Sequence, residues 1–229
     1  MILRSTTWQP PAPEIIGSLL KNPAARVIED ADDLLEVVME SLRRYQEKLV
    51  RSELPEAAVL WNYDGSGNQR RNFRPKDEED LSDRVAAWID SDIGAKTGVV
   101  IGREVQPRRG QKTDIMVTAL VKGANARALT AVTIVIEVKG CWHKEVRTAI
   151  ETQLVAGYLV QNGWTHGIYL VGWFDCDRWD APTNTPKSSL NAATYEDACK
   201  EVDALAAPYD GVGKSEVVKG FCLDCRFPG

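Results

Sequence analysis

Several features that define common protein classes are missing from this chain of 229 residues. No apolar run approaches the roughly 20 residues that a membrane-spanning helix requires, so we expect no membrane partner. The first 14 residues lack the long apolar middle of a secretory signal peptide. Internal repeats and low-complexity segments are also absent. The composition is 44% hydrophobic, which is enough for one large domain with a sizeable core.

The five cysteines are irregularly spaced and odd in number, so they form no regular disulfide framework. At least one thiol must stay unpaired within the chain, and we therefore expect a reducing, cytoplasmic location. Cys222-Leu223-Asp224-Cys225 has the spacing of half a zinc site. A tetrahedral site needs two further ligands, which would have to include Cys176 or Cys199. We predict no zinc.

The net charge of −5 is unusual for a protein that binds a polyanion, but the charge is unevenly distributed. Acid concentrates in residues 29–40 and 175–180, and base in residues 69–76 and 103–112. The basic segments can form a rim around an acidic centre and attract a polyanionic substrate. The alternative is ordinary solvated loop charge. The cationic residues concerned are Arg70, Arg71, Arg74, Arg108, Arg109 and Lys112.

Apolar periodicity predicts an α/β protein. Helical spacing predicts helices over residues 28–51, 77–93, 144–161 and 195–206. Short runs rich in β-branched residues predict strands over 98–105, 114–121, 132–139, 166–173 and 217–223. Residues 62–77, with several Gly and Asn, are predicted to form a loop. We divide the chain into an N-terminal helical extension, residues 1–61, and a domain over 62–229, a mixed sheet flanked by helices.

Two of the predicted strands carry the residues of a candidate site. Side chains two apart in a strand share a face, so Glu137 and Lys139 point the same way while Val138 enters the core. The short connection between the strands favours antiparallel pairing, which brings Asp114 near Glu137. Two carboxylates and an ammonium suit a hard divalent cation and the water that it activates. The alternative is an ordinary ion pair between Glu137 and Lys139.

Asp114, Glu137-Val138-Lys139 and the order of elements over about residues 77–173 resemble the PD-(D/E)XK nuclease superfamily, which includes restriction endonucleases. Thr113 stands where the name of the motif has proline, a position that varies widely in the superfamily. The resemblance implies a restriction endonuclease-like core of order αβββαβ, with the N-terminal helical extension and C-terminal additions around it. It also implies a nuclease with a Mg²⁺ cofactor, which Mn²⁺ can replace, and DNA as the partner, with RNA as the alternative.

Metal-dependent phosphodiester cleavage needs oxygens that hold the cation, an attacking water and a group that offsets developing charge. Asp114, Glu137 and the main-chain carbonyl of Val138 are the candidate ligands. So few ligands suffice because Mg²⁺ usually keeps several waters. Lys139 is expected to orient the water or offset charge, because two nearby carboxylates oppose the fall in pKa that a base would need.

The superfamily often places a glutamate on the first core helix and, in several subfamilies, a glutamine on the later helix. Glu79 is matched to the first position, although the sequence does not distinguish it from Glu78 or Asp83. The alternative is that these acids only complement the helix dipole, since acids are common at helix starts. Gln153 is matched to the second, with a solvated glutamine as the alternative. Those subfamilies have a tyrosine four residues after the glutamine, whereas this chain has Tyr158 five residues after Gln153. In an α-helix, residues five apart do not share a face, so we expect Tyr158 to point away from the Gln153 side.

Cys141-Trp142-His143 follows the motif directly. The segment offers neither a third orienting group nor an oxyanion site, so we predict a packed cysteine rather than a nucleophile. Trp142 and His143 are instead expected to touch substrate near the site.

The sequence therefore predicts a metal-dependent DNA nuclease. It resembles nuclease domains attached to large bacterial multidomain proteins, some of them in anti-phage defence. The long N-terminal helix is a candidate for homodimerisation or for docking to other domains. The alternative, favoured by the net acidity, is a catalytically inactive nuclease-like module that binds nucleic acid or acts as a scaffold.

Overall fold

A computed structural model describes residues 28–52, 56–66, 69–94, 99–103, 105, 113–122, 129–181, 186–210 and 215–227. The fold is mixed α/β, as predicted. The strands are β1 (Trp61–Asp64), β2 (Arg71–Pro75), β3 (Val99–Arg103), β4 (Ile115–Lys122), β5 (Leu129–Gly140), β6 (His166–Trp173) and β7 (Val217–Asp224). The helices are α1 (Ala31–Arg51), α2 (Glu78–Ile89), α3, a π-helix (Ile150–Leu159) continued by an α-helical turn (Val160–Asn162), and α4 (Tyr195–Ala206). Shorter helical turns occupy Glu56–Leu60, Asp90–Gly94 and Ala207–Tyr209.

The main sheet has five strands in the spatial order β3-β4-β5-β6-β7. The β3–β4 and β4–β5 pairs are antiparallel, whereas β5–β6 and β6–β7 are parallel. Strand β4 begins at Ile115, which pairs with Ile136 of β5. The last four residues of β5 therefore extend beyond the start of β4, and this step in the sheet is where the candidate site lies.

Helices cover both faces of the sheet, as the layer architecture requires. Gly167 and Gly172 of β6 are an odd number of positions apart in the strand, so they lie on opposite faces of the sheet. A β-carbon at Gly172 would lie 2.7 Å from Leu81 of α2, and one at Gly167 would lie 3.0 Å from Leu154 of α3. Helix α2 therefore covers one face, and α3 covers the other together with α4, which packs on β7.

Helix α1 packs beside α2 on the sheet. Its start is capped by Asp30, whose side chain accepts a hydrogen bond from the Asp33 amide at 2.9 Å. Its apolar stripe is buried within the same hydrophobic core as the sheet strands. The indole of Trp88 in α2 donates to the Ser41 carbonyl at 2.9 Å and stacks on Tyr45 at 5.2 Å. The described part of the predicted extension thus has its apolar face occupied by the sheet.

The predicted helices and the five strands of the main sheet are present in the predicted order, and most boundaries fall within a few residues of the observed ones. The loop predicted over residues 62–77 is wrong: β1 and β2 form an antiparallel hairpin there, with Trp61 paired to Pro75. A residue near the C-terminal end of the described chain stabilises the hairpin, because the ring centroid of Phe227 lies 4.6 Å from that of Phe73. No helix in the described ranges has the length and apolarity that crossing a membrane requires.

Candidate active site

Asp114 lies one residue before β4 begins. Strand β4 starts opposite Ile136, so Val138 of β5 has no β4 residue opposite it. The Val138 amide donates instead to Asp114 Oδ2 at 2.9 Å. The amide and carbonyl of one strand residue point to the same side, so the Val138 carbonyl also faces the Asp114 side of β5. The step in the sheet thus leaves the carboxylate and the carbonyl that the sequence suggested as ligands on the same side of β5.

Glu137 and Lys139 lie on one face of β5, and Lys139 Nζ is 2.6 Å from Glu137 Oε1. Glu137 is 1% exposed. Its second oxygen, Oε2, is buried and has no hydrogen-bond partner among the described residues. Burial, reinforced by the charge of Asp114, raises the pKa of Glu137 to about 8, although Lys139 acts in the opposite direction. The lysine therefore neutralises this buried carboxylate incompletely.

Lys139 keeps its proton at neutral pH. Burial lowers its pKa, but the nearby carboxylates of Glu137, Glu78 and Asp114 together raise it further, so the net shift is upward. This agrees with the electrostatic role that the sequence suggested and opposes a role as a base.

Glu78, in the first turn of α2, joins this cluster. Its Oε1 accepts a hydrogen bond from the Gly140 amide at 2.9 Å, and its Oε2 lies 3.8 Å from Lys139 Nζ. The same oxygen is 4.0 Å from Nε2 of His143. Burial, and to a smaller degree Asp114, raises the pKa of Glu78 against the opposing effects of the Gly140 amide, Lys139 and His143.

The helix residue chosen from sequence, Glu79, is placed differently. Glu79 is exposed, and its main-chain carbonyl accepts a hydrogen bond from Arg103 at 3.3 Å. Glu78 therefore takes the position in the cluster that the sequence assigned to Glu79. Consecutive helix residues point about 100° apart, since a turn takes 3.6 residues, and only one of the two can face the site.

Arg103 of β3 was not singled out as a site residue. Its guanidinium donates to the Asp114 carbonyl at 2.8 Å and to Asp83 Oδ1 at 2.6 Å. Together with the contact to the Glu79 carbonyl, it ties the start of β4 to the first two turns of α2. No sequence signal distinguishes it from the basic segment that follows.

The π-helical part of α3 changes the expectation for Tyr158. Its hydrogen bonds run from residue i to i−5, as from the Val160 amide to the Val155 carbonyl, so each turn holds about one extra residue. Residues five apart, such as Gln153 and Tyr158, then share a face, and the prediction that the added residue turns Tyr158 away is wrong. Burial raises the pKa of Tyr158, and the charges of Glu137 and Asp114 raise it further. The Gln153 amide instead donates to Glu145 Oε2 at 3.3 Å.

The predicted nucleic-acid contacts are only partly within the described residues. Arg70 lies over the Tyr63 ring at 4.6 Å, and Arg71 and Arg74 are exposed on β2. Arg108, Arg109 and Lys112 lie outside the described ranges.

Cys141 is packed rather than exposed for nucleophilic attack. Its sulfur accepts a hydrogen bond from the Phe174 amide at 3.4 Å, and burial raises the pKa of the thiol to about 12. A thiol that stays protonated is a poor nucleophile. Cys222 and Cys225 are also buried free cysteines.

The groups that could hold a cation are the carboxylates of Asp114 and Glu137 and the Val138 carbonyl. In the part of the chain that the structure describes, no group of three or more His, Cys, Asp or Glu side chains is arranged to hold a metal ion. Magnesium does not need such a group, because water fills most of its coordination sphere. Glu137 Oε2, which is buried without a hydrogen-bond partner among the described residues, fits a hard cation, since oxygen ligands of this kind are those that Mg²⁺ prefers.

Comparisons of the chain with protein-family models, curated proteins and solved structures find no match. Function is therefore inferred from the geometry around Asp114, Glu78 and the Glu137-Val138-Lys139 segment.

Proposed function

We propose that the chain is a metal-dependent nuclease that hydrolyses phosphodiester bonds in DNA, with a core of the PD-(D/E)XK type. The observation that carries the proposal is the carboxylate of Glu137, which is 1% exposed and has one oxygen without a hydrogen-bond partner among the described residues. Leaving a buried carboxyl oxygen without a hydrogen bond costs about 1–3 kcal/mol. A cation shared with Asp114 removes that cost.

The order of elements supports the same proposal. Helix α2, strands β3 to β5, helix α3 and strand β6 follow one another in the αβββαβ order that the resemblance implies. The further assignment to anti-phage defence rests on the sequence resemblance alone.

Asp114, Glu137 and the Val138 carbonyl would hold Mg²⁺ or Mn²⁺, which supplies a Lewis acid for the phosphate and lowers the pKa of a bound water. The chain's own groups do the rest. Protonated Lys139 sits 2.6 Å from Glu137 and offsets negative charge that develops on the phosphate. Glu78 fixes the Gly140 end of β5 through the amide at 2.9 Å and so holds Lys139 in place.

Tyr158 contributes a hydroxyl that stays protonated. Because burial and the neighbouring carboxylates raise its pKa, it acts as a hydrogen-bond donor and not as a base. A donor that feels the charge of both Glu137 and Asp114 suits the orientation of a water or of a phosphate oxygen.

The substrate and cofactor are tested by incubating the protein with plasmid, linear and single-stranded DNA and with RNA, each in Mg²⁺, Mn²⁺ or EDTA. We expect cleavage of at least one DNA substrate with either metal and none with EDTA. Cleavage that persists in EDTA after exhaustive chelation, or cleavage of RNA alone, would contradict the proposal.

The second candidate is a nuclease-like module that binds nucleic acid without cleaving it. The observation that favours it is the 2.6 Å pair between Lys139 and Glu137, which is also the geometry of a purely structural ion pair. Calorimetric titration with Mn²⁺ separates the two, because a structural pair shows no metal affinity that depends on Asp114. A nuclease loses Mn²⁺ binding in Asp114→Ala.

A further inference from the structure

A cavity of about 260 Å³ opens beside the active site, between the β1–β2 hairpin and the residues that follow β5. This volume lies just under the roughly 300–1,000 Å³ of clefts that hold drug-sized ligands, so the cavity suits a smaller group. Two indole rings and two cationic side chains line it. The lining residues, which define the Trp142 cavity, are Arg74, Pro75, Lys76, Asp77, Trp142 and Trp179.

Trp142 is seated against the active site itself. A β-carbon at Gly140 would lie 2.5 Å from the Trp142 ring, so the indole packs on a position that only glycine can supply. The amide of the same Gly140 holds Glu78 at 2.9 Å. One wall of the Trp142 cavity is therefore continuous with the residues that position Lys139.

The aromatic walls are held rigidly. Trp142 meets Phe174 edge-to-face at 5.0 Å and Trp179 at 5.9 Å. The loop that carries Trp179 is tied to β2, because Asp180 exchanges two hydrogen bonds with the main chain of Phe73, each 2.8 Å. Both indoles are half-buried, and both line the Trp142 cavity.

Positive charge surrounds the opening. Arg74 is exposed on β2, and Arg178 is exposed beside Trp179, over the Phe73 ring at 5.9 Å. Lys76 contacts Asp80 at 3.7 Å while a quarter of its side chain remains exposed. The one acid in the lining, Asp77, is engaged as the cap of α2, accepting from the Asp80 amide at 2.8 Å.

We infer that the Trp142 cavity binds an unpaired nucleobase by stacking, while Arg74 and Lys76 contact the adjacent phosphates. The substrate is therefore single-stranded DNA, or a single-stranded region of a longer DNA. Aromatic rings with flanking cations are the means by which proteins bind unpaired bases regardless of sequence. A base inside a duplex cannot present its face to an indole without leaving the stack. This inference rests on the proposed nuclease function and names its substrate class.

The test measures binding without cleavage. A fluorescein-labelled oligodeoxynucleotide of about 12 residues, its duplex form and its RNA counterpart are titrated with the protein in EDTA, and anisotropy is followed. We expect the single strand to bind more tightly than the duplex. The titration with RNA tests whether the unpaired bases come from DNA or from RNA. Tighter binding of the RNA than of the DNA single strand would overturn the choice of DNA.

Variants then separate stacking from packing. Trp142→Leu removes the aromatic face and should weaken single-strand binding about 5- to 150-fold, the range that corresponds to loss of one stacked base. Trp142→Phe retains a ring and should keep most of the affinity. Arg74→Ala and Lys76→Ala, surface changes that leave the core intact, should each reduce the salt slope by about 0.7. Lys200→Ala, an exposed lysine paired with Asp197 at 3.2 Å on α4, is the matched control and should change nothing.

The outcomes distinguish the inference from the function on which it rests. If Trp142→Leu, Arg74→Ala and Lys76→Ala all bind the single strand as the parent does while metal-dependent cleavage remains, the Trp142 cavity is not the base site and the nuclease proposal stands. Duplex binding equal to single-strand binding in the parent overturns the inference in the same way. If the parent neither binds nor cleaves any nucleic acid, both fall.

Discussion

Replacing Glu137 with glutamine should remove a large pH-dependent contribution to stability. Burial and the charge of Asp114 raise the pKa of this carboxyl from 4.5 to about 8. A group whose folded-state pKa is raised favours the folded state when protonated, and that contribution is lost as the pH rises toward the folded-state value. At about 1.4 kcal/mol per pH unit, the parent should lose up to about 5 kcal/mol relative to Glu137→Gln between pH 4.5 and 8 in EDTA.

A bound cation changes the sign of this effect. Metal binding requires the ionised carboxylate, so saturating Mg²⁺ should stabilise the parent increasingly as the pH rises to 8, and should leave Glu137→Gln nearly unaffected. The assay is urea unfolding at several pH values, with and without Mg²⁺, and an unchanged m value shows that the variant keeps the folded structure. If the parent and the variant show the same pH slope in EDTA, Glu137 is not an under-neutralised buried carboxylate. If Mg²⁺ stabilises both equally, the cation binds elsewhere.

Three further predictions concern the other residues of the cluster. Glu78→Gln should lower the rate of cleavage at least tenfold, whereas Glu79→Gln should lower it by less than twofold. The activation free energies of the two variants then differ by about 1 kcal/mol or more. Equal effects would contradict the placement of Glu78. Arg103→Met should weaken Mn²⁺ binding about 10- to 100-fold, because Arg103 no longer holds Asp114 in place. Asp83→Asn should cause the larger part of the same loss of Mn²⁺ affinity. Calorimetric titration measures the affinity of both variants. Tyr158→Phe should lower the rate with no change in melting temperature; an unaltered rate would remove the hydroxyl from the site.

The sheet and its acidic edge could be predicted because their signals are local. Residues 132–139 form a continuous β-branched run that ends in Glu-Val-Lys, and alternation alone assigns Glu137 and Lys139 to one face. The antiparallel approach of Asp114 follows from the short connection between the two strands. These inferences need no knowledge of the rest of the fold.

The parts that could not be predicted depend on tertiary contacts. Glu78 and Glu79 are equally suited to a helix start, and the position of α2 against Gly140 decides between them. The hairpin was missed because Tyr63 and Phe73 take their stabilisation from Phe227, more than 150 residues away. Tyr158 was misplaced because apolar spacing does not distinguish a π-helix from an α-helix over ten residues.

The central claim is that Glu137 takes part in metal-dependent phosphodiester hydrolysis. The most direct measurement is the rate at which Glu137→Gln cleaves labelled DNA in Mg²⁺, compared with the parent and with Glu201→Gln. Glu201 is a suitable control because its side chain is 15% exposed and paired with Arg147, so its substitution also removes a half-buried carboxylate. We predict a loss of more than about 100-fold in Glu137→Gln and parent-like cleavage in Glu201→Gln. Full activity in Glu137→Gln would contradict the account.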